Sequence, residues 1–177
     1  ATNILGGMKL KVEDLSRVND VLAMTASSSN TSITELAGAF KSAGPIASSM
    51  GESIEDVSAI LGGMANNGIK AEHAGQGLKQ MFTRLIAAAS GATDELDENG
   101  ESLSKAGDAL ARLGVNLNDS TGKMKPMATI LSEMKEAGLQ ASDAIDIFGK
   151  FTVSTAIVAV NAADDINKLA EANDNAA

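Results

Sequence analysis

Between Ser53 and Ser90 the chain reads SIEDVSAILGGMANNGIKAEHAGQGLKQMFTRLIAAAS, and its apolar residues return every three or four positions rather than every second one. Val57, Ile60, Leu61 and Met64 share one helical face, and Ala74, Leu78, Met81, Phe82 and Leu85 share another. That spacing predicts two consecutive amphipathic helices. Ser53, with Asp56 three residues on, offers a side-chain cap to the first. Asn66-Asn67-Gly68 stops it, with Gly68 placed where a left-handed residue follows a helix. The expected unit is a helical hairpin with Leu61, Met64, Leu78, Phe82 and Leu85 in its core, joined by Phe40 from the preceding helix. Gly68 and Gly75 are assigned to its turn, where Gly62, Gly63, Ala71 and Ala74 would let the two backbones approach closely.

The same periodicity extends in both directions. Upstream, Leu15, Val18, Leu22 and Thr25 form a stripe, and Ser32 with Glu35 makes a capping box ahead of Ile33, Leu36 and Phe40. Gly44-Pro45 is expected to interrupt that helix and open a short turn to about Met50. Downstream, Ser90 to Glu101 gathers Asp94, Glu95, Asp97, Glu98 and Glu101 without an apolar stripe and reads as a solvated loop. Leu103, Ala106, Leu110 and Leu113 predict a helix stopped by Gly114. The turn-rich run Asn118 to Gly122 then allows a small β-hairpin near 115–124. Pro126 opens a helix through Met134, Ser142 caps a short one ending at Phe148, and a last helix is expected from about Phe151 to Ala172, followed by a frayed tail.

The fold class expected is therefore all-α, with about seven helices arranged as hairpins. It divides into a helical domain over 1–150 and a C-terminal helix and tail over 151–177. Within that last helix Val153, Ala156, Val160, Ala163, Asn167 and Ala170 follow a 3-4-3-4-3 spacing, which makes them a candidate coiled-coil seam for self-association, with Asn at one a position. The alternative is a helix packed on its own domain through Ile157, Val160 and Leu169. One pentapeptide, Ile4-Leu5-Gly6-Gly7-Met8, recurs as Ile60-Leu61-Gly62-Gly63-Met64, which suggests either duplication or shared helix-hairpin chemistry.

Composition narrows the chemistry. The 177 residues are 44% hydrophobic but only 2% aromatic, with four Phe, no Trp, Tyr or Cys, and one His, so small and aliphatic side chains must build the core. Disulfides, thiolate chemistry, soft metal sites and aromatic stacking platforms are excluded. Fourteen Lys and Arg against 23 Asp and Glu give a net charge of −9, the wrong sign for gripping phosphate backbones, so no specific nucleic-acid binding is expected. No uncharged window approaches the roughly 20 residues of a membrane span. The chain is expected to begin without a targeting peptide and to be cut from a longer protein.

Motifs that would carry chemistry fail on inspection. His73, the lone imidazole, has no Cys or Ser-acid partner nearby in sequence and reads as a surface or interface residue near a helix start. Glu95, Asp97, Asn99 and Gly100 follow the beginning of a calcium loop, but the position that needs a bidentate carboxylate is Ala106. Gly75-Gln76-Gly77 lacks a third glycine and a preceding strand, and Gly122-Lys123 is followed by Met124 where a phosphate loop requires Ser or Thr. The eight Met residues fall mostly at core-facing positions, where they fill gaps. No catalytic, metal or cofactor site is expected.

The order of features from Asp20 to Leu113 resembles the domain of phage tail tape measure proteins. The resemblance rests on Asp20-Val21-Leu22 and a Ser/Thr/Asn-rich link, Ser32 to Phe40 with Leu36 and Ala37, Pro45, and Gly51 with Ile54, Glu55 and Asp56. Its most specific part is Asn67-Gly68-Ile69, then Ala74-Gly75 and Leu78, then Arg84-Leu85, with Ala109-Leu110 and Leu113-Gly114 beyond. Gly122, Ile130-Leu131 and Phe148-Gly149 resemble the segment that follows. The chain departs from the pattern in starting inside the usual domain, in Gly77, and in having no hydrolase segment. The resemblance implies a non-enzymatic virion protein, made in the host cytoplasm, that occupies the tail lumen or tip, sets tail length during assembly and is released at genome ejection. It also implies tail tube and baseplate or tail-tip hub proteins as partners, and a homo-oligomer, with a trimer suggested. A reading from another class is a membrane-active module, in which Ile60 to Ala89 opens and inserts into the host envelope.

Overall fold

The computed structural model describes residues 2–92 and 94–177. The order is α1 (Thr2–Gly7), a 3₁₀ turn (Val12–Asp14), α2 (Leu15–Ser28), α3 (Ile33–Ser49), α4 (Ile54–Asn66), α5 (Ala71–Ser90), α6 (Ala106–Leu113), α7 (Met127–Glu136), α8 (Ala141–Phe148), α9 (Val153–Asn161) and α10 (Ala163–Ala176). The class is all-α, and no strand occurs among the described residues. The turn region near 115–124 contributes a single antiparallel bridge, Asn118 to Met124, rather than a hairpin of paired strands. Asp119 holds that turn, its Oδ1 accepting from the Thr121 amide and hydroxyl and the Lys123 amide.

α4 is the central element. Only Asp56 and Asn66 of its thirteen residues escape burial, so it behaves as a core helix rather than an amphipathic one. Ser53 caps it through the Asp56 amide at 3.1 Å. α2, α3, α5, α9 and α10 surround it, and α10 lies closest, antiparallel along its length. Gly62 and Gly63 permit this. A Cβ at 62 would come within 3.0 Å of Thr25 and 3.2 Å of Leu169, and one at 63 within 2.5 Å of Ile166 Cγ1. Each glycine inside a helix costs about 1 kcal/mol relative to Ala. Seating Leu169 and Ile166 directly on the α4 backbone offsets that loss.

The expected pairing of α4 with α5 is corrected by these contacts. α5 packs chiefly along α3, and α4 chiefly along α10, so sequence neighbours are not the main packing partners. Gly75 accordingly sits inside α5, not in a turn, and a Cβ there would lie 2.6 Å from Ala39 Cα on α3. Gly68, at φ +91°, does occupy the turn after α4.

Three further boundaries differ from expectation. α3 continues through Pro45, which is exposed; its missing amide leaves a solvent-side carbonyl free, while buried Ala43, Gly44 and Ala47 hold the segment against the core. α8 begins two residues earlier than a Ser142 cap implies, with Gln140 as the cap and Asp143 accepting from the Gln140 amide at 3.2 Å. The last helix is two helices. It breaks at Ala162, where Lys135 of α7 donates to the Asn161 carbonyl at 3.4 Å and pairs with Asp164 at 2.8 Å. Asp164 and Asp165 in the first turn of α10 complement a new helix N-terminus.

The C-terminal region is not a separate appendage. α9 packs on α5, α7 and α8, and α10 on α2, α4 and α7, so residues 151–177 complete the core of the preceding helices. The tail stays helical to Ala176 because Asn173, fully buried, accepts from Thr25 Oγ1 at 3.0 Å and donates to the Glu55 carbonyl at 3.1 Å. The two pentapeptide copies also have different surroundings. Gly6 meets nothing and α1 packs on α3, whereas Gly62 and Gly63 are enclosed by α2 and α10.

Candidate functional site

Phe40, Leu61, Met64, Leu78, Phe82 and Leu85 all lie in one continuous core, each no more than 2% exposed. They are contributed by three helices, α3, α4 and α5. His73 is exposed on the first turn of α5.

The candidate seam residues do not form one face. Ala156, Val160 and Ala163 are buried within the domain, Val153 and Ala170 are half-buried, and Asn167 is exposed and donates to Ser132 Oγ of α7 at 3.1 Å. The break at Ala162 divides them between α9 and α10. A coiled-coil stripe over 153–170 is therefore absent from this fold, and its apolar members serve intramolecular packing; of the residues in the alternative reading, Val160 and Leu169 are buried and Ile157 is half-buried.

The most elaborate polar arrangement centres on Arg84, which is 2% exposed. Its Nε donates to the Ile147 carbonyl at 2.8 Å, Nη1 to Asp97 Oδ2 at 2.8 Å, and Nη2 to the Ser102 and Asp146 carbonyls at 3.2 and 3.3 Å. Asp146 and Ile147 belong to the last turn of α8, whose carbonyls lack intrahelical partners, so the guanidinium caps that helix from another element. The Asp97 side chain is only 4% exposed, and its Oδ1 accepts from the Asn99 and Glu101 amides at 2.9 Å. Burial works to raise the Asp97 carboxyl. Hydrogen bonds from the Glu101 amide, Arg84 and the Asn99 amide, with the Arg84 charge, outweigh it and hold the group below the usual Asp range. Glu101 continues the chain of contacts by accepting from the Lys150 amide at 2.8 Å.

Asp94, Glu95 and Glu98 are exposed, as expected of a solvated loop, but Asp97 is built into the fold. Leu96 bridges Ser102 in a tight turn, and Asp97 locks that turn to α5 and α8. Its oxygens are committed to amides and a guanidinium, which is why the partial calcium-loop spacing marks a structural turn. No group of acidic or histidine side chains suited to a metal ion occurs among the described residues.

A second buried acid is Glu52, between α3 and α4. Oε1 accepts from the Met127 amide at 2.7 Å, the first residue of α7, and Oε2 is buried without a hydrogen-bond partner. Burial pushes its carboxyl up to about 7, the Met127 amide draws it back, and nearby Asp56 raises it again. A third link joins Arg17 to Glu55 at 2.6 Å.

Comparison with known proteins adds identity to this geometry. The sequence profile of phage-related minor tail proteins matches residues 1–150. The chain belongs to that family. It is similar to the probable tape measure protein of Escherichia phage P2, at 31% identity over 90% of this chain and 19% of the relative. It is also similar to the tape measure protein of Pneumococcus phage Dp-1, at 30% identity over 72% of this chain and 10% of that protein. The chain spans a fifth or less of the length of these relatives. No solved structure matches it.

The pieces that carry the resemblance to tape measure proteins each meet a physical demand in this minor tail protein fold. Asn67-Gly68-Ile69 forms the turn with positive φ, Ala74-Gly75 is the close approach to α3, and Arg84 is the buried staple. Gly77, the departure from the pattern, faces α9, where a Cβ would sit 3.2 Å from Thr155 Cβ. Sequence reading missed the role of Arg84. Its signal was present: a permanently charged residue between Phe82 and Leu85 on an apolar stripe demands an acid and carbonyls, and the nearest acidic cluster follows within twenty residues.

Proposed function

We propose that this chain is a folded, non-catalytic segment of a phage tail tape measure protein, present in the virion tail at the lumen or tip. The parent protein sets tail length during assembly and leaves at genome ejection, and its partners are tail tube and baseplate or hub proteins together with further copies of itself, as a trimer. The family match over residues 1–150 carries this reading. The geometry supports a structural role because buried Arg84 and Glu55 are already engaged: all three Arg84 guanidinium nitrogens donate to protein oxygens, and Glu55 pairs with Arg17. No helix among the described residues is long and apolar enough to cross a membrane, and the Ile60–Ala89 region has its apolar faces in the core.

An in-frame deletion of this segment in a phage carrying the parent gene tests the proposal. A straight helix rises about 1.5 Å per residue, so a segment lying extended along the tail would shorten it by roughly 265 Å when removed. A segment that stays folded inside the tail would leave length nearly unchanged and instead impair assembly or infectivity. Tails of normal length, number and infectivity after deletion would overturn the assignment.

A further inference from the structure

The corner between α3 and α4 holds an unusual acid. Glu52 is 9% exposed, reaches across to the start of α7, and leaves Oε2 buried with no donor in range. It lines a cavity of about 280 Å³ whose walls include Met50, Asp56, Asp119, Lys123 and Pro126. The groups facing this corner are Asp56 from the first turn of α4, and Asp119 and Lys123 from the turn before α7. Asp56 is engaged by Ser53 at 2.8 Å, Asp119 by its own turn, and Lys123 is exposed.

A single buried oxygen without a partner costs far more when charged than when it carries a proton. The Met127 amide can satisfy Oε1 in either state, whereas Oε2 as a carboxylate oxygen has no protein donor and can gain one only from water. Oε2 itself is shielded although Glu52 borders that cavity, so charging the group favours an opening of the corner that hydrates it. We propose that Glu52 is a protonation-controlled clasp between the α3–α4 corner and α7, closed when its carboxyl is neutral and loosened when it is charged. The start of α7 therefore tightens on the domain as the surroundings acidify from neutral. Two observations support the direction: burial is the largest influence on this carboxyl and raises it to about 7, and the Asp56 charge acts the same way.

The test uses the 177-residue chain and Glu52→Gln, which preserves the acceptor for Met127 and cannot ionise. Hydrogen exchange at the Met127 and Ile130 amides, which donate to Glu52 and to the Pro126 carbonyl, corrected for intrinsic pH dependence, should lose at least tenfold protection in the parent sequence between pH 5 and pH 8. Glu52→Gln should show no such loss. Equal pH dependence in the two proteins would overturn the proposal. Should the variant not fold, carboxyl NMR titration of Glu52 in the parent sequence decides it: a midpoint near 7 is expected, and one at the ordinary value of 4.5 refutes the clasp.

Discussion

Replacing Gly75 by Ala separates tertiary packing from helix propensity. Propensity alone favours the substitution by about 1 kcal/mol, since glycine in a helix interior costs about that much. The structure reverses the sign. The new Cβ would lie 2.6 Å from Ala39 Cα, and backbone, unlike a flexible side chain, cannot swing aside. Ordinary carbon contacts begin near 3.5 Å, so α3 and α5 must part by about 1 Å, forfeiting a quarter to a half of the dispersion attraction along the seam. Overpacking costs about 1–3 kcal/mol, and a clash with backbone falls in the upper part of that range, about 2–3 kcal/mol, leaving a net loss of about 1–2 kcal/mol after the propensity gain. For a chain of this size that lowers Tm by about 2–8 °C. With neither Trp nor Tyr, unfolding is best followed by far-ultraviolet circular dichroism. Gly107 of α6 is the control, because a Cβ there meets nothing within 4 Å, so Gly107→Ala should stabilise by about 0.5–1 kcal/mol. A Gly75→Ala protein as stable as the parent sequence would refute the close-approach argument.

Arg84→Met should destabilise by about 3–5 kcal/mol in urea unfolding, because it strands the buried Asp97 carboxylate and the carbonyls at the end of α8. Asn173→Ala should cost about 1–3 kcal/mol by leaving Thr25 and the Glu55 carbonyl unpaired, whereas Asp164→Ala, at a side chain 78% exposed, should leave the unfolding midpoint unchanged. Stability should pass through a maximum on the acid side of neutrality. The Glu52 carboxyl, raised to about 7 from 4.5 on folding, contributes stability that is complete below 4.5 and lost as pH rises through 7, on the order of 3 kcal/mol. Asp97, held below 3.8, contributes stability that is present above that value and lost as pH falls through its folded value, so urea midpoints measured from pH 3 to 8 should peak between the two effects.

The helical class was legible because period and caps are local: Ser32 with Glu35 and Ser53 with Asp56 set helix starts that the structure retains. Partner choice was not. Nothing in the spacing of the α4 residues says that α10 lies along it while α5 packs chiefly on α3, and the decision falls to Gly62, Gly63 and Gly75, whose contacts join residues far apart in sequence. The continuous stripe over 153–170 misled because a 3-4 spacing carries through a one-residue break, and the Lys135 contact that accompanies the break comes from α7. The Asp164-Asp165 pair was the one local sign of a new helix start. Arg84 and Glu52 were hidden for the same reason, since their partners lie 13 to 75 residues away.

The way α10 lies on α4 has a mechanical consequence. Asn173 meets the start of α4 near Glu55, while Ile166 sits on Gly63 at its far end. Tension drawn from beyond Ala177 would therefore load these attachments in succession, Asn173 first, then Leu169, then Ile166, like tape lifted from one edge. Peeling needs far less force than sliding the same rod lengthwise, and each step would bare more of the glycine-floored furrow on α4.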